Sequence, residues 1–265
     1  MTNASCLTPL QTALLEEFFR VSEGFFLTGG AALAGFLVGH RQTHDLDFFT
    51  TDGDLDSGVR AVRSAAARLG ADCVETRTSP DFRRLLVTGR DESLIVDLVF
   101  ERAPQIHGEK LVVGGIRIDP VDEIFANKLC ALLGRAEVRD LVDLFFLERD
   151  GLSLEQGLAA GQRKDGGLTP AQLAWVLSEM VLPESAAIPG EVPRAELDRY
   201  RLDLIDRLLV LASPTGAPRR TNGTPGLPDG SSARSVVLSG WLSAAETRFK
   251  TASNRPVPWL RSFGL

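Results

Sequence analysis

Apolar positions recur with two different periods along the chain, and the balance between them shifts near residue 119. Leu10, Leu14, Phe18 and Val21 follow one another at helical spacing, which predicts one buried helix face. Thr8-Pro9-Leu10-Gln11 predicts the start of that helix, with a Thr cap, a Pro in the first turn and a Gln three residues after the cap. The short run Phe25-Phe26-Leu27 reads as a strand ending in Gly29-Gly30. Ala31 to Gly39 predicts a helix, Leu46 to Phe49 a strand, and Asp54 to Leu69 a helix with Leu55, Val59, Val62, Ala66 and Leu69 at helical spacing. Arg84 to Thr88, Leu94 to Phe100 and Leu111 to Ile118 predict three further strands, punctuated by Gly, Asp and Pro. From Asp119 the pattern is helical. Asp119-Pro120 caps a helix to about Leu133, and a second runs from Val138 to Glu148. Residues 151–212 read as wholly helical, with caps at Ser153 and Thr169-Pro170.

Strands mixed with helices, then helices alone, predict an α+β domain over residues 1–150 and a helical extension over 151–212. Pro, Gly, Ser, Thr and Asn crowd the start of the next stretch, so 213–240 reads as a flexible linker and 241–265 as a tail. The 265 residues are 44% hydrophobic and 24% charged, ordinary values that allow a sizeable core. No apolar run reaches the roughly 18 residues of a membrane span, and no secretory leader is visible. Cys6, Cys73 and Cys130 are far apart without metal-type spacing, which points to a reducing cytoplasm. The net charge of −6 argues against a protein that holds nucleic acid by bulk charge. The distribution changes that picture. From Ser213 onward seven Lys/Arg face two acids, so the tail is basic at +5 and the rest carries −11. An RNA substrate would have to meet local basic patches, the tail included.

The candidate chemistry lies in Asp45-Leu46-Asp47-Phe48-Phe49. On a strand, Asp45 and Asp47 share one face while Leu46 and Phe48 take the other. Two adjacent carboxylates suit Mg²⁺, a hard ion that prefers oxygen and keeps some waters. Asp97 is the candidate third acid, because its run, Leu94 to Phe100, is otherwise apolar. It could instead pair with Arg83 or Arg84. Three acids could hold two ions, which would activate an attacking hydroxyl and stabilise departing pyrophosphate. Gly29-Gly30, ahead of a helix N-terminus, could let backbone N–H groups approach a triphosphate. His44, beside the pair, reads as a supporting or surface group, since Mg²⁺ prefers oxygen.

At these residues the chain resembles the AbiEii/AbiGii-type nucleotidyltransferase toxins, which include the MenT toxins of mycobacteria, within the DNA-polymerase-beta superfamily. The matching motifs are Gly29-Gly30-Ala31-Ala32-Leu33, Gly39-His40-Arg41, Asp45-Leu46-Asp47-Phe48-Phe49, Asp122-Glu123-Ile124, Lys128-Leu129 and Arg139-Asp140-Leu141-Val142-Asp143-Leu144. Together they cover roughly residues 20–150. The resemblance implies a polymerase-beta-like mixed sheet with flanking helices, followed by a helical region. It implies that Asp45 and Asp47 bind metal, with Asp97 as the third acid. It further implies that Lys128 contacts the nucleotide phosphates, that Asp140 is a later catalytic aspartate, and that Arg41 and Arg139 join Gly29 and Gly30 in binding nucleotide. Two departures stand out. The hydroxyl that relatives carry after the first glycine is missing at Gly30 and Ala31. The family's Arg-x-Lys-Asp reads Glu137-Val138-Arg139-Asp140, with only Arg135 near the lost arginine. On an unbroken helix Lys128, Arg135 and Arg139 would share a stripe, though Gly134 could break it. The plainer alternative is a solvated face with an Arg139–Asp143 pair.

The expected activity is Mg²⁺-dependent transfer of a nucleotide from an NTP to RNA, tRNA in particular, by the toxin of a toxin–antitoxin pair, with an antitoxin protein as partner and no membrane. The alternatives are transfer to a protein side chain or small molecule, and an inactive relative that binds NTP or a partner.

Overall fold

A computed structural model describes residues 6–182 and 188–213; the tail and all but the first residue of the linker lie outside the described residues. The chain starts with α1 (Pro9–Val21), where the Thr8 hydroxyl accepts from the Gln11 N–H and the Gln11 side chain accepts from the Thr8 N–H, closing the expected capping box. Seven strands then form one sheet: β1 (Phe26–Thr28), β2 (Asp45–Thr50), β3 (Asp72–Ser79), β4 (Phe82–Thr88), β5 (Ser93–Phe100), β6 (Leu111–Val113) and β7 (Ile116–Ile118). Their spatial order is β3-β4-β5-β2-β1-β7-β6. The sheet is mixed: β2 pairs with β5, and β1 with β7, in parallel, and the other neighbours are antiparallel.

Helix α3 (Leu55–Arg68) packs on β3, β4 and β5 and is capped by Asp54, which accepts from the Ser57 N–H. Alternation on the strands decides which face it covers. Leu85, Val87, Leu94, Val96 and Leu98 are buried, and so are Leu46 and Phe48 of β2. Phe48 stacks on Phe18 of α1 with ring centroids 4.1 Å apart. Fully burying side chains of this kind stabilises by about 1.5–3 kcal/mol each.

The helical half comprises α4 (Val121–Arg135), α5 (Val138–Arg149), α6 (Leu154–Lys164), α7 (Pro170–Glu179) and α8 (Arg194–Ala212). Helix α4 packs against α5, α6 and α7, and α8 against α7 and α5. The overall class is the expected one, a mixed sheet with flanking helices and a helical C-terminal region.

Three local expectations change. The segment predicted as one strand over Leu111 to Ile118 is a hairpin, because Gly114 and Gly115 both take positive φ and turn the chain. The helix expected from Ala31 begins earlier, as α2 (Gly29–Ala32), and continues as a π-helical turn, Leu33–Leu37, before Gly39 takes positive φ. Strand β3 carries no apolar signal and was not expected. It is an edge strand, largely exposed.

Candidate active site

Burial of Leu46 and Phe48 fixes the register of β2, and that register turns Asp45 and Asp47 away from α1. A slip of one residue would drive both carboxylates into the core. Strand β5 sets Asp97 directly beside Asp47, as its register partner. Asp45, Asp47 and Asp97 thus share one side of two adjacent parallel strands. That side opens into a cavity also lined by Gly29, Gly30, Arg41, Arg84, Lys128, Arg135 and Arg139. The structure brings every sequence-predicted site residue except Asp140 to this cavity, and Asp140 lies immediately behind Lys128 and Arg135.

The acids differ in their company. Asp45 accepts from the Thr43 hydroxyl at 2.9 Å, and Arg139 approaches its other oxygen at 3.6 Å. Asp97 is buried and clamped by Arg84, whose Nε and Nη2 donate at 2.8 and 2.7 Å. The arginine pairing open to Asp97 from sequence is therefore realised, through Arg84. Burial first, then the charges of Asp45 and Asp97, push the Asp47 carboxyl up to about 8.

The glycine turn closes over the same point. Gly29 has φ +63°, and a Cβ there would come within 2.4 Å of Asp47 Oδ2, so only glycine fits. A Cβ on Gly30 would meet Arg41 Nη2 at 2.9 Å and Thr43 Oγ1 at 3.2 Å. The space a side chain at Gly30 would take is filled by Arg41. Thr28 makes no side-chain cap to α2, so the first N–H groups of that helix are not capped by it.

Behind the acids lies a buried ion-pair network. Lys128 Nζ bonds Asp140 at 2.8 Å and reaches Asp143 at 2.6 Å. Arg135 forms a two-pronged pair with Asp140, at 2.8 and 2.9 Å. Arg41 does the same with Asp143, at 2.7 and 2.9 Å, and His40 Nε2 lies 2.7 Å from Asp143 Oδ1. Burial opposes the charge on Lys128, Asp140 and Asp143, yet pairing prevails. Asp143 is held well below the usual carboxylate range, Asp140 is lowered, and Lys128 is raised. Two carboxylates facing Arg41, Lys128 and Arg135 leave one positive charge beside the acids.

Asp143 was missed as a functional position. Sequence spacing set it in a surface pair with Arg139, but it is fully buried, and Arg139 instead pairs with Glu137 and Asp45. The correction has a simple cause: α4 ends at Ala136, in the left-handed region at φ 49°, and α5 starts afresh at Val138. The stripe of Lys128, Arg135 and Arg139 is therefore not continuous on one helix, although all three still line the cavity. The break falls at Ala136 and not at Gly134. His44 is exposed, as expected.

Among the described residues no group of three or more His, Cys, Asp or Glu is arranged to hold a metal ion alone. Asp45 and Asp47 nevertheless fit Mg²⁺, which binds through one or two carboxylates together with substrate phosphates and waters. The elevated Asp47 carboxyl is consistent with that fit.

An acid pair under a glycine turn, faced by buried cations, is the arrangement of a nucleotidyltransferase. The sequence profile of the family described as "Nucleotidyl transferase AbiEii toxin, Type IV TA system" matches residues 13–209, and the chain belongs to that family. It is a nucleotidyltransferase of a toxin–antitoxin context, and membership implies an NTP substrate and an antitoxin partner. The fold is similar to that of JHP933 from Helicobacter pylori, with 23% identity, TM-score 0.52, and 76% of this chain and 88% of that one covered. A second H. pylori structure, provisionally described as a nucleotidyltransferase, has 22% identity and TM-score 0.51, with 76% and 91% covered. The search among curated proteins found no match. No helix among the described residues is long and apolar enough to cross a membrane.

Proposed function

We propose that the chain transfers a nucleotide from an NTP to an RNA acceptor, tRNA in the first instance, in the cytoplasm and with Mg²⁺, as the toxin of its pair. The observation that carries this reading is the placement of Asp45 and Asp47 on one strand face, under Gly29 and against a cluster with one surplus positive charge. Asp45 and Asp47 would hold the metal, whose chemistry is to neutralise the triphosphate and polarise the phosphorus under attack. A second ion would need Asp97, whose two oxygens are bonded to Arg84.

The chain's own residues then have separable tasks. Gly29 and Gly30 allow close approach of the triphosphate to the backbone. Lys128, Arg41 and Arg135 present positive charge from a rigid network. Arg139, 40% exposed, stands at the mouth beside Asp45 and can meet the incoming substrate. The acceptor hydroxyl loses its proton to solvent, its oxygen bonds to the α-phosphorus, the bond from that phosphorus to the bridging oxygen breaks, and pyrophosphate departs. Asp140, held ionised by Lys128 and Arg135, serves to position those cations.

Lys128→Ala is expected to weaken nucleotide use by about 1.5–3 kcal/mol, the usual value of a charge-assisted contact. Steady-state kinetics in NTP should show a raised KM, a lowered kcat, or both; unchanged values would remove Lys128 from the phosphate site. The reading as a whole is tested by incubating the protein with each labelled NTP, Mg²⁺ and total RNA, and locating the label. Label in RNA supports it, whereas label in protein or in a small molecule moves the acceptor. The arginine clamp on Asp97 favours one second reading, an inactive NTP-binding relative. NTP binding with no label anywhere would select it.

A further inference from the structure

Beyond the catalytic acids, the sheet leaves apolar side chains of β3, β4 and β5 exposed on one face. Helix α3 covers one face of β3, β4 and β5, and the opposite face carries two cross-strand rows in register. The first row is Val74, Leu86, Ile95 and Asp45, each the pairing partner of the next across β3, β4, β5 and β2. Its three apolar members are 59%, 36% and 38% exposed. The second row is Arg77, Arg84, Asp97 and Asp47, again partner to partner. A β-bulge between Glu75 and Arg77 brings Arg77 onto the same side as Val74, where plain alternation would have turned it away. Both arginines lie over the Phe82 ring, at 5.8 and 5.5 Å, which holds them along the sheet surface. An apolar row and a charged row, with its arginines toward the edge and its acids at the site, thus run side by side from an exposed edge strand.

We infer that this shelf seats the single-stranded end of the RNA acceptor and leads its terminal hydroxyl to Asp45 and Asp47. The inference rests on the RNA-acceptor reading above. Bases present flat apolar faces that suit Val74, Leu86 and Ile95, and a phosphate suits the exposed Arg77, while Arg84 stays in its pair with Asp97. Charge complementarity chooses the occupant. Arg77, at the edge end of the second row, is an exposed cation on a body that is otherwise strongly acidic, and Asp72, one register step beyond Val74, is the acid at its margin. The dimensions agree. Three strand spacings cover about 14 Å, room for roughly four nucleotides stacked at about 3.4 Å each. An open sheet face that stacks bases is an established way to hold unpaired RNA.

The test uses R77E and V74E, both outside the nucleotide site and on an exposed edge strand, in the full chain with total tRNA as probe. Filter binding at several salt concentrations should show affinity falling about tenfold in R77E, with a salt slope shallower by about one. V74E should weaken binding as well. In both variants KM for NTP should stay within twofold of the parent, and thermal unfolding should report whether the fold is kept. If the parent labels RNA while both folded variants bind and label it equally well, the shelf is wrong and the RNA reading stands. If the parent labels protein or a small molecule and binds no tRNA, the RNA reading fails and the shelf falls with it.

Discussion

Asp47→Asn is expected to lower nucleotidyl transfer by about a thousandfold while raising the thermal stability of the metal-free protein. Loss of one preorganised charged group at a reacting centre commonly costs about 10²–10³ in rate, and here the lost group also holds the metal. Asp45→Ala should behave alike in activity. The stability effect follows from the environment of Asp47, whose carboxyl is pushed up to about 8 by burial and then by Asp45 and Asp97. The folded state therefore binds that proton more tightly than the unfolded chain. Its contribution to stability is complete below about pH 4, near the unfolded value, and is lost as pH rises through about 8. Asparagine removes this slope. Discounted for solvent screening at a partly open site, the gain above about pH 8 is about 2 kcal/mol, or about 4–8 °C in Tm for a chain of this size. Thermal unfolding in a chelator, at about pH 5 and about pH 8.5, checks it. The gap between variant and parent should widen with pH. A gap that closes as pH rises would contradict the assigned environment of Asp47.

Asp143→Ala is expected to be the most destabilising single change at the site. Asp143 is fully buried and joins His40 and Arg41, 103 and 102 residues away, to Lys128 of α4. Removing it leaves Arg41 without its carboxylate and Lys128 with Asp140 alone, and breaking a buried pair in this way costs about 3–5 kcal/mol. The corresponding fall in Tm is about 6–20 °C. Transfer should drop as well in the folded fraction, because Arg41 at the glycine turn and Lys128 in the cavity lose their orientation. Asp143→Asn should fall between, since it keeps an acceptor and loses the charge. Urea unfolding of both variants gives the measurement, and a loss below about 1 kcal/mol for alanine would show that the network tolerates an open position.

The acid face was legible because alternation is a strong signal: Leu46 and Phe48 demand the core, so Asp45 and Asp47 must face away. Asp97 was legible for the same reason, as a lone charge in an apolar run, and so was its alternative pairing with an arginine. Asp143 was not. Its partners His40 and Arg41 are about a hundred residues distant, and local spacing offered only Arg139, four residues away, as a decoy. Strand β3 escaped because an exposed edge strand needs few apolar residues, and Cys73-Val74-Glu75-Thr76 carries no clear period. The hairpin at β6 and β7 escaped because Gly114-Gly115, flanked by continuous β-formers, was read through as part of a single strand. The helix after Gly29 was found, but its π-helical turn was not, since Leu33 to Leu37 reads as ordinary helix by composition.

The central claim is that Asp45 and Asp47 support transfer of a nucleotide, and one measurement addresses it directly. Parallel reactions would contain the same NTP labelled at either the α- or the γ-phosphate, with Mg²⁺ and total RNA, for the parent and for Asp45→Ala/Asp47→Ala. The account predicts that the α-label moves to the acceptor in the parent, that the γ-label leaves as pyrophosphate, and that the double variant transfers neither. Transfer of the γ-label to the acceptor, or α-label transfer by the double variant at the parent's rate, would contradict it.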